Sequence, residues 1–108
     1  MTATAQRILI AEACGWKYAR IIIGALFGVH EKHEGNLGEI PDYPSDLNAM
    51  HEAEKVLFAS GRYNDYEAGL VKVMGPNFRG GFPFLWHATA PQRAEAFLRT
   101  LGKWEEAE

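Results

Sequence analysis

The chain has 108 residues, which fits one domain over residues 1–108, and 47% of them are hydrophobic, which is enough for a core. Charged residues make up 23%, so the composition is too apolar for a disordered chain. The net charge of −3 comes without a basic stripe, which argues against a nucleic-acid backbone as a partner.

Cysteine content and hydropathy bear on the compartment. The single cysteine, Cys14, excludes an internal disulfide and suits a reducing cytosol. The first residues lack the basic and apolar segments of a signal peptide. The longest apolar run, residues 21–29, is too short for a membrane span of about 20 residues. We therefore expect a cytoplasmic protein that does not contact a membrane.

The first half of the chain predicts a helix, a strand and a long connection. Apolar residues at helical spacing predict a helix over 3–14, which Gly15 ends. Consecutive β-branched residues predict a buried central strand over 17–27, with a continued helix as the alternative. Residues 28–44 form a polar connection that is long for a structureless loop, which leaves open a hairpin or a mobile segment.

The second half predicts two helices that flank a hairpin. Ser45 is the expected N-cap of a helix over 46–60. Strands over 66–74 and 82–88 are predicted to pair through the glycine-rich segment 75–81.

The final helix carries the clearest local signal. Thr89 and Gln92 have the spacing of a capping box, and Phe97 and Leu98 lie on an apolar stripe that we expect to pack on the sheet. The predicted fold class is α+β, a small antiparallel or mixed sheet of about three to four strands layered with three helices, an α/β sandwich.

Three ordered segments carry a family resemblance. Residues 11–17 resemble an opening helix that ends in Gly-Trp. The segment 41–47 (Pro-Asp-Tyr-Pro-Ser-Asp-Leu) resembles the entry to a middle helix, and residues 87–94 resemble a strand that leads into a final helix. Together they resemble the phage ABA sandwich domain, a group of small phage and prophage proteins. The resemblance implies layers of α and β structure and a phage or prophage origin, with the host cytoplasm as location. It implies no activity.

Two segments are candidates for binding chemistry. His30 and His33, with acidic neighbours, have side chains that ligate zinc or another divalent ion; the alternative is an ordinary solvated loop. Phe78, Arg79, Gly80 and Gly81 form a loop whose amides and arginine suit a phosphate or carboxylate. The alternative there is a hairpin turn that needs glycine.

The remaining signals argue against common catalytic machinery. The serines do not match a nucleophile elbow, and Cys14 ends a helix, so the helix dipole does not activate its thiol. The aromatic residues Phe82, Phe84 and Trp86 alternate as core residues do, or as a docking platform if their face is open.

These observations favour a non-catalytic phage accessory protein that binds a host or phage macromolecule, most simply a protein. One alternative is a protein that binds or sequesters a nucleotide-derived signal. A second is a metal-dependent hydrolase that uses His30 and His33. No cofactor is predicted, and the oligomeric state, a homodimer included, is left open.

Overall fold

The computed structural model describes residues 1–34, 36–75 and 87–106, with the side chain of His33 excepted. This part of the chain holds four α-helices and a three-stranded antiparallel sheet of order β1-β2-β3. The helices are α1 (Ala3–Ala13), α2 (Leu47–Ala59), α3 (Tyr63–Met74) and α4 (Ala90–Thr100), and the strands are β1 (Trp16–Ile22), β2 (Ala25–His30) and β3 (Leu37–Glu39). The predicted α+β class with a small sheet is confirmed.

The first helix begins and ends as its sequence predicts. The Thr2 hydroxyl accepts a hydrogen bond from the Ala5 amide at 3.1 Å, and α1 then runs to Ala13. Gly15 follows with a φ of 98°, a left-handed conformation that glycine adopts without strain. A Cβ at this position would also lie 3.2 Å from Nε2 of His30. Glycine is therefore required here both by the turn and by a close neighbour.

The prediction of one buried strand over 17–27 is wrong, because the segment folds back on itself. β1 and β2 pair from Trp16 opposite His30 to Ile22 opposite Ala25. Ile23 and Gly24, with φ of 50° and 78°, form the two-residue turn, and positive φ at both positions is what a type I′ hairpin turn requires. The β-branched run correctly indicates extended backbone, but it carries no information on burial.

The connection over 28–44 contains regular structure, so its hairpin alternative is confirmed in part. After β2, a single 3-10 turn over Glu31–His33 leads towards β3, which pairs with β2 through Gly28 opposite Gly38. A Cβ on Gly28 would lie 3.0 Å from the Ile40 side chain and 3.1 Å from the Lys17 carbonyl oxygen. Glycine thus permits the close packing of backbone in this sheet.

Two predictions about the middle of the chain need correction. Asp46, not Ser45, caps α2, since its Oδ1 accepts hydrogen bonds from the amides of Asn48 at 3.0 Å and Ala49 at 3.3 Å. The predicted strand over 66–74 is helix α3. Its buried side chains, Tyr66 and Leu70, are four residues apart, which is helical spacing, whereas its β-branched residues favoured a strand.

The final helix forms as predicted but packs differently. The capping box of Thr89 and Gln92 is present, and Phe97 and Leu98 are fully buried. The principal neighbours of α4 are α3, α1 and α2 rather than the sheet. The predicted hairpin between 66–74 and 82–88 is wrong, because its first strand is α3; residues 82–86 lie outside the described part, and residues 87–88 are not in a strand.

Candidate functional site

The surface between the start of the hairpin and α2 contains an open pocket of about 460 Å³. One wall comes from the end of α1, the outer ends of β1 and β2, and the segments that follow them, with side chains Cys14, Trp16, His30, Lys32 and Tyr43. The opposite wall is one face of α2, formed by Glu52, Ala53, Lys55, Val56 and Ala59. We call this site the α2 pocket.

Buried aromatic side chains and backbone contacts shape the first wall of the α2 pocket. Burial raises the pKa of the Tyr43 hydroxyl and of the Cys14 thiol overall, although the Trp16 indole lowers the pKa of the neighbouring Tyr43 and Tyr43 lowers that of Cys14. Trp16 and Tyr43 are both buried. Arg7 of α1 donates from Nε to the carbonyl oxygens of Ile40 and Pro41, each at 3.1 Å, and so holds the segment that carries Tyr43. These contacts tie the wall to α1.

His30 completes this wall and uses both ring nitrogens. Nδ1 accepts a hydrogen bond from the Lys32 amide at 3.0 Å, and Nε2 lies 2.8 Å from the Cys14 carbonyl oxygen. These partners assign the neutral tautomer with hydrogen on Nε2. The imidazole also meets the Trp16 ring edge to face, with 5.1 Å between centroids. His30 thus joins the end of β2 to the end of α1.

The thiol of Cys14 is unsuited to nucleophilic chemistry near neutral pH. Burial raises its pKa from 9.0 to about 11, and the hydrogen bond from Tyr43 only partly offsets this. Burial likewise raises the pKa of Tyr43. Because the thiolate is the reactive form, both groups act here as neutral hydrogen-bonding partners. Cys14 is partly buried against the core.

The described residues do not complete a metal site around the predicted ligands, His30 and His33. His30 would have to give up the Lys32 amide or the Cys14 carbonyl oxygen to bind an ion. The His33 side chain lies outside the described part. Among the described residues, no group of three His, Cys, Asp or Glu side chains is placed to hold a metal. Metal binding by His30 and His33 stays a prediction.

The predicted anion loop cannot be located relative to the α2 pocket. Its residues Phe78, Arg79, Gly80 and Gly81 lie outside the described part of the chain, as do Phe82, Phe84 and Trp86. Their proposed roles in binding a phosphate or in docking therefore stay predictions.

A second exposed feature, which we call the hairpin tip, consists of Tyr18, Arg20 and Ile21 of β1 and Ile23 of the turn. Tyr18 is 78% exposed, Ile21 is 66% exposed, and Ile23 is exposed completely. The register shifts between Lys17 and Arg20, and Tyr18 at this bulge has a φ of 59°. A β-branched residue such as Ile23 rarely adopts positive φ, so the turn is strained where its side chain is most exposed.

A buried polar cluster lies on the opposite, helical side. The Glu54 carboxylate of α2 accepts a hydrogen bond from Arg93 of α4 at 2.9 Å and another from the Tyr66 hydroxyl of α3. Arg93 Nε also donates to the Ala88 carbonyl oxygen at 3.0 Å. Burial and the adjacent Glu54 carboxylate raise the pKa of Tyr66. Since these charges are paired and hydrogen bonded, the cluster links three helices and is not an open site.

Sequence reasoning missed both the α2 pocket and the hairpin tip. The pocket joins residues from positions 14 to 59, and no local spacing connects them. The tip has a signal in the sequence, Gly24 directly after the isoleucine run, but a glycine there is also compatible with a bulge inside one strand.

Comparison with known proteins found no matching family model, no similar curated protein and no similar solved structure. The resemblance to the phage ABA sandwich domain therefore stays a prediction. None of the helices in the described ranges combines the length and the apolar character needed to cross a bilayer.

Proposed function

We propose that this protein is a non-catalytic accessory protein of phage or prophage origin that binds an acidic protein surface through its hairpin tip in the cytoplasm. The observation that carries the proposal is Ile23, a fully exposed β-branched residue held at a φ of 50°. Exposed apolar side chains grouped at one place mark interaction sites, and local backbone strain accompanies function more often than chance.

Charge at the hairpin tip supports an acidic partner. Lys17 and Arg20 lie on β1, and no acidic residue occurs from Trp16 to His30, although the whole chain has a net charge of −3. A two-fold dimer built tip to tip would bring the basic residues of both copies together, which repulsion disfavours. The tip therefore fits a different molecule that offers acidic groups around an apolar patch.

Protein is favoured over a lipid surface as the partner. Basic segments that bind anionic membranes carry about four to eight Lys or Arg residues, each worth about 1 kcal/mol. The whole hairpin has two, Lys17 and Arg20. Ladder pairing of a partner strand along the edge of β1 is also disfavoured, because the bulge at Tyr18 interrupts that edge. Recognition would then use side chains, as at the aromatic and arginine hot spots of protein interfaces.

The test is quantitative capture from lysate of the source cell with matched baits. The hairpin-tip baits are the double variant Ile21→Asn/Ile23→Asn and the charge reversal Arg20→Glu. The control is Val71→Asn, which changes an apolar residue of α3 that is 40% exposed and distant in sequence from the tip. We expect a captured protein that both tip variants lose at least about tenfold and that the control retains.

The purified partner then decides the mode of binding. We expect its affinity to fall as salt rises and to fall at least about tenfold with Arg20→Glu. A partner that the parent, both tip variants and the control bind equally would overturn the proposal, as would the absence of any partner that depends on the tip. If the parent protein binds vesicles of anionic lipid and Arg20→Glu does not, the occupant of the hairpin tip is instead a membrane. If the parent forms a dimer that Arg20→Glu dissociates, the occupant is a second copy of the chain.

A further inference from the structure

The α2 pocket differs from the hairpin tip in shape and in chemistry. It is concave, and its volume of about 460 Å³ is within the range of small-molecule sites. Its floor is formed by Trp16, Tyr43 and Ala53, which are nearly inaccessible from the surface, with Val56 half-buried beside them. An apolar ligand body would therefore find a mostly hydrophobic surface.

The first wall of the α2 pocket is organised in advance. Trp16 and Tyr43 are buried, Arg7 holds the segment that carries Tyr43, and His30 is held through both ring nitrogens. Groups that are already fixed lose little freedom when a ligand binds, so less of the interaction energy is spent on ordering them. A ligand does not need to reorganise this wall.

The rim of the α2 pocket carries an excess of positive charge. Lys55 forms a salt bridge with Glu52 at 3.0 Å, and this lysine lowers the pKa of the Glu52 carboxyl. Lys32 stands on the opposite side, and no salt bridge to it occurs among the described residues. One lysine is therefore left over to meet one negative charge on a ligand.

We propose that the α2 pocket binds a small amphipathic molecule with one negative charge, its apolar body against Trp16 and Val56 and its carboxylate or sulfonate at Lys32. This inference is independent of the proposed protein partner, because none of the hairpin-tip residues lines the pocket. Failure of one proposal leaves the other standing.

Three matched probes of nearly equal size test the charge preference. They are 1-naphthoate (anionic), 1-naphthylmethanol (neutral) and 1-naphthylmethylammonium (cationic), each titrated into the purified protein by calorimetry. We expect the anion to bind at least about fivefold more tightly than the alcohol and the cation to bind most weakly. Equal affinity for all three would overturn the proposal, since it would show adsorption to apolar surface alone.

Two variants test the assignment to Lys32 and to the pocket. Lys32→Glu should weaken 1-naphthoate binding at least about tenfold, whereas the control Lys103→Glu, an exposed lysine of the C-terminal segment, should leave it unchanged. Val56→Trp should fill the pocket and weaken all three probes alike. Circular dichroism checks that each variant is folded. Unchanged binding in both pocket variants would place the probe elsewhere and overturn the assignment.

The single cysteine provides a second measurement of location. Cys14 lines the α2 pocket, so bound 1-naphthoate should slow its alkylation by excess iodoacetamide at pH 9, where about one thiol in a hundred is ionised, in proportion to occupancy. Lys32→Glu should remove this protection at the same probe concentration. Saturation with probe that leaves the alkylation rate unchanged would contradict binding in the α2 pocket, whatever the calorimetry shows.

Discussion

The helical side of the molecule and the β1–β2 hairpin meet opposite physical demands. Between α2, α3 and α4, large side chains such as Phe97 are fully buried, and the charged pair Glu54 and Arg93 is paired inside the core. On the hairpin, Ile21 and Ile23 face solvent, and two residues other than glycine, Tyr18 and Ile23, have positive φ. Burial in the helices stabilises the fold, whereas the exposed isoleucines and the positive φ angles of the hairpin do not contribute to stability.

This contrast is what the proposed binding role of the hairpin predicts. A β-branched residue in the left-handed region costs about 1–2 kcal/mol, and a fully exposed isoleucine recovers nothing by burial. Such features persist where they serve a purpose other than stability. In the proposals made above, the helices supply the packed frame, and the strained hairpin and the α2 pocket supply the binding surfaces.

The largest expected effect lies in the helical side. Arg93→Met leaves the Glu54 carboxylate buried without its partner, which typically costs about 3–5 kcal/mol of unfolding free energy. Urea unfolding followed by circular dichroism measures it. The matched control is Arg99→Met on the same helix, whose ion pairs with Glu95 at 2.8 Å and Glu106 at 2.5 Å are exposed. We expect a much smaller change there, because water screens such pairs.

One result for the two arginine variants would contradict this prediction. If Arg93→Met and Arg99→Met lower the urea midpoint equally, the Glu54 cluster does not stabilise the helices as described. The double variant Glu54→Leu/Arg93→Met sharpens the result, since removing both charges should recover part of the loss.

Sequence reasoning succeeded where the determining contacts are local. Gly15 ends α1, and Thr89 with Gln92 starts α4, because each signal acts within four residues of itself. It failed over 66–74, where β-branched residues suggested a strand, although Tyr66 and Leu70 have helical spacing. The packing of α3 against α4, which a local pattern does not encode, decides in favour of the helix.

The candidate site was harder to predict than the fold. His30 was singled out as a metal ligand, yet in the structure it accepts from the Lys32 amide and contacts the Cys14 carbonyl oxygen. Its partner at Cys14 is 16 residues away along the chain. The α2 pocket depends on α2 lying across the ends of β1 and β2, and this arrangement follows from the tertiary structure alone.

A loss of stability of intermediate size is expected at alkaline pH from Cys14, which lies between α1 and β1. Burial raises the pKa of Cys14 from 9.0 to about 11 in the folded protein. The folded state therefore holds this proton more tightly, so stability is complete below pH 9 and is lost as pH rises towards 11. The loss attributable to Cys14 is on the order of 2 kcal/mol, since each pKa unit corresponds to about 1.4 kcal/mol.

The measurement compares unfolding free energies of the parent and Cys14→Ala at several pH values between 8 and 10.5. The parent should lose stability more steeply above pH 9. Tyr66, whose pKa burial also raises, contributes to both proteins and cancels in the difference. Besides burial, Cys14 raises the pKa of Tyr43, so its removal reduces the alkaline loss from Tyr43 as well and widens the difference in the same direction. Parallel curves across this range would mean that the thiol is not desolvated in the folded state.

The smallest expected effect has the opposite sign and tests the hairpin tip directly. Ile23→Asn should raise the unfolding free energy by about 1 kcal/mol, because asparagine tolerates the left-handed conformation and Asn-Gly is the preferred sequence of a type I′ turn. No burial is lost, since Ile23 is fully exposed.

Ile21→Asn is the control: it removes a similar exposed side chain from a strand position that has no positive φ, so it should not stabilise the protein. Urea unfolding of both variants measures the difference, and capture of the partner should weaken in each. A loss of stability in Ile23→Asn would show that the isoleucine contributes to folding, and the contrast between a stable helical side and a strained binding hairpin would then be wrong.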